Sequence, residues 1–423
     1  MISKLLAGKT FTRSIVTLMS GTMMAQVIPV AVSPILTRIY SPEDFGVLAL
    51  YIAILSVVTV VASMRYELAI VQSEKGEDAR VLVQLSIIIC TLLSLSFLIF
   101  VVLYDYSDSQ FLGLGSDSYI LYLLPFGFFL NGIVQIGRYW LLRKEKYRQI
   151  SGVVVSQSAG AASGQVLAGY VGVGTGLLYG HILGQLCSFV FAFIKSFVPI
   201  KELFRGTSSK KIIELAKRYR NLPQYSIAGA LADSLSVQLP VLIISRVFGA
   251  GIVGLFSFTF KVLNLPLVAL SGALSQVLFR KISVLSVEKP DKIKPMLIKT
   301  NLLLVGFCIP FVTFFWLWGE PVFAFVFGES WRDAGGMASI LSLAVAIRFS
   351  VSPLSSVLIM DKNVRLGVAW QFLYLATITL TFAVFHEEGI EALLFAFVVH
   401  ECCIYSFYYY LILKGADRLK GNQ

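Results

Sequence analysis

The sequence predicts an all-α integral membrane protein of about twelve transmembrane helices in two pseudo-symmetric six-helix bundles, and three observations carry that prediction. Of 423 residues, 57% are hydrophobic and 14% charged, with a mean hydropathy of +0.80; a soluble domain averages about 25% charged residues. The charge is gathered into clusters between apolar runs of roughly 20 residues or more, the length that crosses a bilayer's hydrocarbon core. A motif in the first connection also recurs half a chain later. The short alternating segments of a β-barrel are absent, so helices are the expected spanning elements.

In order, the apolar runs are 14–36, 45–64, 80–103, 119–142, 150–171, 174–197, 222–244, 252–278, 296–317, 333–358, 364–385 and 390–412. The first follows Arg13, contains Pro29 and Pro34 and leads straight into the first connection, so it reads as a retained helix rather than a cleaved signal. With the N-terminus in the cytoplasm, 29 of the 35 Lys and Arg residues fall in cytoplasmic segments, and only Arg38, Arg246 and Arg332 in the opposite loops. That asymmetry places both termini inside. The net charge of +11 therefore reflects topology and attraction to anionic headgroups, not nucleic acid. The outer connections "YDYSDSQFLGLGSDS" and "FHEEGIE" are acidic. Trp316, Trp318 and Trp331 are expected at the outer interface and Tyr405 to Tyr410 near the inner one. The longest connection, about 198–221, contains "KKIIELAKRYR", which reads as an amphipathic helix on the membrane surface. All five cysteines fall in apolar runs, where they read as small packing residues.

The recurring motif pairs "TRIYSPEDFG" with "SRVFGAGIVG" at a shift of 208, aligning Arg38 with Arg246, Tyr40 with Phe248 and Gly46 with Gly254. Each copy joins the first and second helix of a six-helix set, so the halves are 1–208 and 209–423. Six crossings bring the chain back to the same side, which makes this a parallel repeat. "QIGRYW" and "VAIRFS" extend it by placing Arg138 and Arg348 in equivalent helices.

Five ionisable residues lie inside runs: Arg138, Asp233, Lys261, Arg348 and Glu401, with His181 and His400 beside them. A charge at the bilayer centre costs about 2.5–3.5 kcal/mol on insertion scales, so such groups face a wet cavity or a partner. Asp233 and Lys261 fall at matching depth on consecutive helices and are expected to pair, either to ease insertion or as an ion-coupled switch. Arg348, with Arg138 and Lys261, suits an anionic substrate, since guanidinium matches phosphate oxygens bidentately. Glu401 and His400 are adjacent, point to different sides of their helix and are candidate coupling groups. "GAASG" and Gly176, Gly180 and Gly184 have the spacing of close helix packing. No Walker loop, GxSxG elbow or metal-ligand cluster occurs, and the loops leave little room for a catalytic domain, so neither catalytic nor metal residues are assigned.

"SPILTRIYSPEDFGVLALYIAILSVVTVVASMRYELAIV", "LAKRYRNLPQYS" and "LPLVALSGALSQVLFRKIS" resemble the polysaccharide flippases of the Wzx type, in the multidrug/oligosaccharidyl-lipid/polysaccharide exporter superfamily. The resemblance implies MATE-like paired bundles around a basic cavity that opens to one side at a time. It implies a cargo of undecaprenyl-pyrophosphate-linked oligosaccharide, the repeat unit of O-antigen or a similar surface glycan, in lipopolysaccharide or other polysaccharide biosynthesis at the bacterial inner membrane. It further implies no cofactor beyond a proton or sodium gradient, and a polymerase and chain-length regulator as partners. Arg38, Tyr40, Ser41, Pro42, Gly46, Arg65, Tyr66 and Glu67 carry over as signature residues, with Arg246 and Gly254 as repeat equivalents. "YSPEDFG" reads as a tight outer turn in which Pro42 fixes a dihedral, Ser41 caps the next helix, and Glu43 and Asp44 suit its positive end. The alternatives are export of a cationic drug on the same architecture, a polymerase or glycosyltransferase of the pathway, and a scaffold without transport activity.

Overall fold

Long apolar runs become long helices. The computed structural model describes residues 9–106, 119–196, 208–360 and 363–420, and no strand occurs among them. The acidic connection over 107–118, expected outside, and the start of the linker expected in the cytoplasm, 197–207, lie outside the described residues. The helices are α1 (Lys9–Ile39), α2 (Pro42–Thr59), α3 (Glu67–Gln72), α4 (Gly76–Tyr106), α5 (Tyr119–Arg143), α6 (Tyr147–Tyr170), α7 (Gly176–Ser196), α8 (Ser209–Arg218), α9 (Ile227–Glu288), α10 (Ile293–Phe327), α11 (Arg332–Val351), α12 (Val364–Phe385) and α13 (Ile390–Lys420). Among the described residues, nine stretches are long and apolar enough to cross a membrane. One of them, Leu222–Leu267, is broken at Gly249, whose φ of 83° ends one helix and starts another, so it crosses twice. Adding α1 and the 24-residue α6, diluted by Gly, Ser and Gln, recovers the twelve expected crossings.

By backbone proximity the chain forms two compact units. One comprises Met1–Tyr40 and Leu50–Ser234, the other Ser41–Ala49 and Leu235–Gln423. In the first unit, α6 and α7 meet through the predicted small residues. A Cβ on Gly164 would lie 2.9 Å from the Gly180 Cα, and one on Gly180 would lie 2.7 Å from the Gln165 Cα. Backbones this close gain dispersion contact that a larger side chain would forbid. Tyr40 is 5% exposed and donates its hydroxyl to the Gln165 carbonyl at 2.8 Å, which makes this signature residue a packing wedge.

In the second unit the two motif copies touch. A Cβ on Gly251 would lie 2.8 Å from Glu43 Oε1, and one on Gly254 would lie 2.9 Å from the Gly46 backbone nitrogen. Ser41 caps α2 as expected: its hydroxyl accepts from the Asp44 backbone N–H at 3.3 Å, and the Asp44 carboxylate accepts from the Ser41 N–H at 2.9 Å. Phe45 then packs edge-on against Phe258 and Trp331, with ring centroids 5.4 and 4.9 Å apart. Trp331 is thus a core residue, 0% exposed, rather than an interface marker. Trp316 and Trp318, at 71% and 52% exposure, are not enclosed in this way. Gly319 and Gly335 bring α10 and α11 together in the same way as the α6–α7 pair.

Two expected spans are shorter as α-helices than their apolar runs. The 45–64 run leaves α-helix at Thr59 and turns through Met64 and Arg65, both at positive φ (50° and 63°), into the short α3. The 333–358 run ends its α-helix at Val351 and continues as a 3-10 turn over Ser352–Ile359, where Pro353 cannot supply an N–H to an α-helical ladder.

Candidate functional site

Three helices of the second unit deliver charge to one point. Arg348 leaves the last turn of α11, and its Nε lies 3.3 Å from Glu401 Oε2 on α13. Its Nη2 donates to the Tyr374 hydroxyl on α12 at 2.7 Å, and that hydroxyl donates to Glu401 Oε1 at 2.6 Å. Tyr374 therefore relays between the two charges while they also face each other directly. The rings of Tyr405, Phe260 and Tyr374 surround the guanidinium at 5.5, 5.8 and 5.9 Å, a distance at which aromatic faces attract a cation. Glu401 is 1% exposed, whereas the Arg348 side chain keeps 21% of its surface. The carboxylate is sealed, whereas part of the Arg348 side chain stays accessible although its Nε is buried.

His400 joins the same cluster. Its Nε2 is 2.9 Å from Thr377 Oγ1, one turn along α12 from Tyr374, and its Nδ1 is 3.6 Å from Glu401 Oε1. The expectation that adjacent His400 and Glu401 would serve different sides of α13 does not hold, because both side chains are long enough to reach the same face of α12. Tyr405, expected near the inner interface, instead packs at 9% exposure among these groups.

The remaining embedded charges are arranged differently. Lys261 follows Phe260 on the second arm of α9, has an exposed side chain and takes no part in these contacts. Asp233 belongs to the first unit and Lys261 to the second, and both are exposed. Arg138 is exposed along α5, five residues before that helix ends at Arg143. His181 lies on α7, 3.2 Å from the Gln185 amide and edge-on to Tyr51. Arg38 and Arg246 both present exposed side chains.

A second buried carboxylate belongs to the signature rather than to the residues read as embedded. Glu67 is 0% exposed, accepts from the Ser63 hydroxyl and from Gln135 Nε2 at 2.9 Å, and lies 3.7 Å from Arg65 Nη1. Tyr66 donates to the Ala216 carbonyl at 3.0 Å, and Arg143 caps α3 by donating to the carbonyls of Ile70 and Ser73 at 2.8 and 2.5 Å. Sequence reasoning carried "RYE" only as a signature, because it falls at the end of an apolar run where charge is unremarked. Tyr374 and Phe260 were missed because an aromatic facing a charge reads like one facing lipid. Among the described residues, no group of three or more His, Cys, Asp or Glu is placed to hold a metal ion.

Residues 35–335, more than two thirds of the chain, match the profile of polysaccharide biosynthesis proteins. The chain belongs to that family. It is similar to the succinoglycan biosynthesis transport protein ExoT of Rhizobium meliloti, at 23% identity over 370 residues covering 85% of this chain and 70% of that one. In fold it matches an inward-facing MATE multidrug resistance transporter, at TM-score 0.71 and 14% identity over 96% of both chains. It equally matches the lipid II flippase MurJ in its inward closed conformation, at TM-score 0.71 and 13% identity over 97% of this chain and 90% of that one. This family member is therefore a multi-pass membrane protein of polysaccharide biosynthesis, helical throughout its described spans.

Proposed function

We propose that the protein flips an undecaprenyl-pyrophosphate-linked oligosaccharide, the repeat unit of O-antigen or a related surface glycan, from the cytoplasmic to the periplasmic leaflet by alternating access. It would reside in the bacterial inner membrane with both termini in the cytoplasm, as the sorting of its basic residues favours. The observation that carries the reading is the asymmetry at Arg348. Its side chain is partly accessible while its counter-ion is sealed, so an arriving phosphate would compete with Glu401 for the guanidinium donors. Phosphate on Arg348 displaces the carboxylate, and a proton taken up by Glu401, with Tyr374 and His400 at hand to relay it, removes the stranded charge. Cargo binding and proton uptake are then one event, and an ion gradient gives flipping a direction. Lys261 and Arg138, exposed cations on other helices, would extend the attraction for the pyrophosphate, and an Asp233–Lys261 pair would form and break as the transporter cycles. A polymerase and a chain-length regulator would receive the flipped unit. Export of a cationic drug fits less well, because Arg348 already fills the aromatic enclosure beside the buried acid.

Reconstitution into liposomes with a fluorescent lipid-linked oligosaccharide tests this, scoring accessibility in each leaflet with and without a proton or sodium gradient. Wild type is expected to flip faster under a proton gradient. Glu401→Gln is expected to lose that acceleration, and Arg348→Gln to lose flipping in both conditions. Wild-type rates from Arg348→Gln, or flipping indifferent to any gradient, overturn the reading.

A further inference from the structure

The linker between the sequence halves carries a helix with two unlike faces. One face of α8 docks onto the first unit: Leu215 is 2% exposed, the Ala216 carbonyl accepts from Tyr66, and Lys211 Nζ lies 2.9 Å from Glu77 Oε1 and 3.4 Å from Asp78 Oδ1. Glu77 and Asp78 sit in the first turn of the spanning helix α4. That contact fixes α8 at the depth where a hydrocarbon-spanning segment meets water, which is the headgroup layer.

Among the described residues, none is recorded in contact with the other face. Lys210, Ile213 and Lys217 recur at spacings of three and four residues, so they share one side of the helix, and all three are exposed, Ile213 at 54%. Arg218 and Arg220 are exposed next to them, and Glu214 is the only acid in the helix. Just beyond, Tyr225 is 77% exposed, an aromatic of the kind that settles at the membrane–water boundary. An isolated apolar side chain between lysines whose stems can reach upward is the pattern of a helix lying in the interface plane.

We infer that α8 is a lipid-recognition helix, binding the headgroups of anionic phospholipids in the cytoplasmic leaflet through Lys210, Lys217, Arg218 and Arg220, with Ile213 inserted among the acyl chains. The occupant follows from charge and position together. Four exposed cations against one acid select a negative partner, the contact with α4 holds them at phosphate level, and Ile213 needs a hydrocarbon environment that a soluble anion does not offer. The inference is independent of whether the protein flips a lipid-linked glycan.

The test uses the full-length chain in nanodiscs of phosphatidylcholine alone or with phosphatidylglycerol added, reading amide hydrogen exchange of α8 and retention of phosphatidylglycerol by native mass spectrometry. A juxtamembrane cation is worth about fivefold in attraction to an anionic surface. Exchange in α8 is therefore expected to slow at least about tenfold when phosphatidylglycerol is present. The variant K210Q/K217Q/R218Q/R220Q is expected to abolish that slowing and release the lipid, while K210R/K217R keeps both. Equal protection of α8 in the two compositions, or retention of phosphatidylglycerol by the glutamine variant, overturns the inference. So does protection that appears in phosphatidylcholine only when a lipid-linked oligosaccharide is added, since the surface would then belong to the cargo.

Discussion

Removing Arg348 and Glu401 together should harm the protein less than the sum of removing each alone. The two groups stand 3.3 Å apart, and at an effective dielectric of about 20 that separation corresponds to roughly 5 kcal/mol of attraction, much of it offset by withdrawing both charges from water. Arg348→Met leaves a carboxylate with 1% exposure and no cation. Glu401→Leu leaves the guanidinium facing Tyr374 and two other rings. Each single substitution is expected to lose about 3–5 kcal/mol, the usual consequence of stranding one member of a buried pair. The double variant R348M/E401L replaces both charges with apolar groups of similar volume and should fall short of the sum of the singles by about 3 kcal/mol. Unfolding by sodium dodecyl sulfate titration in mixed micelles, applied to all four proteins, gives the coupling directly. Additivity to within about 0.5 kcal/mol would show the charges to be energetically independent and remove the basis of the site.

Two further outcomes follow from contacts elsewhere. Gly180→Leu places a side chain where a Cβ alone already lies 2.7 Å from the Gln165 Cα, so α6 and α7 must separate; the thermal midpoint in detergent should fall, by an amount equivalent to about 3 kcal/mol or more for overpacking against backbone. The Lys211 amine is held above its usual 10.5 by its hydrogen bond to Glu77, with Asp78 adding to it. A raised value in the folded state means the contribution is complete below 10.5 and fades as pH climbs through the folded value, so amide exchange in α8 should be unchanged by this group through neutral pH and accelerate only in stronger alkali.

The crossings were legible because a span is a local property: twenty apolar residues bounded by charge read the same in sequence as in the folded chain. Arg348, Glu401 and His400 stood out for the same reason, each being polar in an apolar run. Whatever depended on a neighbour distant in sequence did not show. Trp331 looked like an interface aromatic until Phe45 and Phe258 enclosed it, and Tyr405 until Arg348 lay against its ring. The turn at Met64 and Arg65 has no glycine to announce it, since surrounding contacts rather than local preference hold those torsions. Glu67 stood only as a signature residue, its burial hidden because its partners Ser63 and Gln135 are unremarkable residues.

The order in which the chain is made gives the Arg348–Glu401 pair a cost during biosynthesis. Glu401 is translated 53 residues after Arg348, so α11 must partition into the bilayer while its counter-charge is still in the ribosome. For that interval the guanidinium opposes insertion by about 2.5–3.5 kcal/mol, which only the apolar residues of α11 itself and helices already inserted can outweigh. Chains cut short before α13 would be left with an unneutralised cation in the membrane, a feature by which quality-control proteases could recognise an unfinished copy.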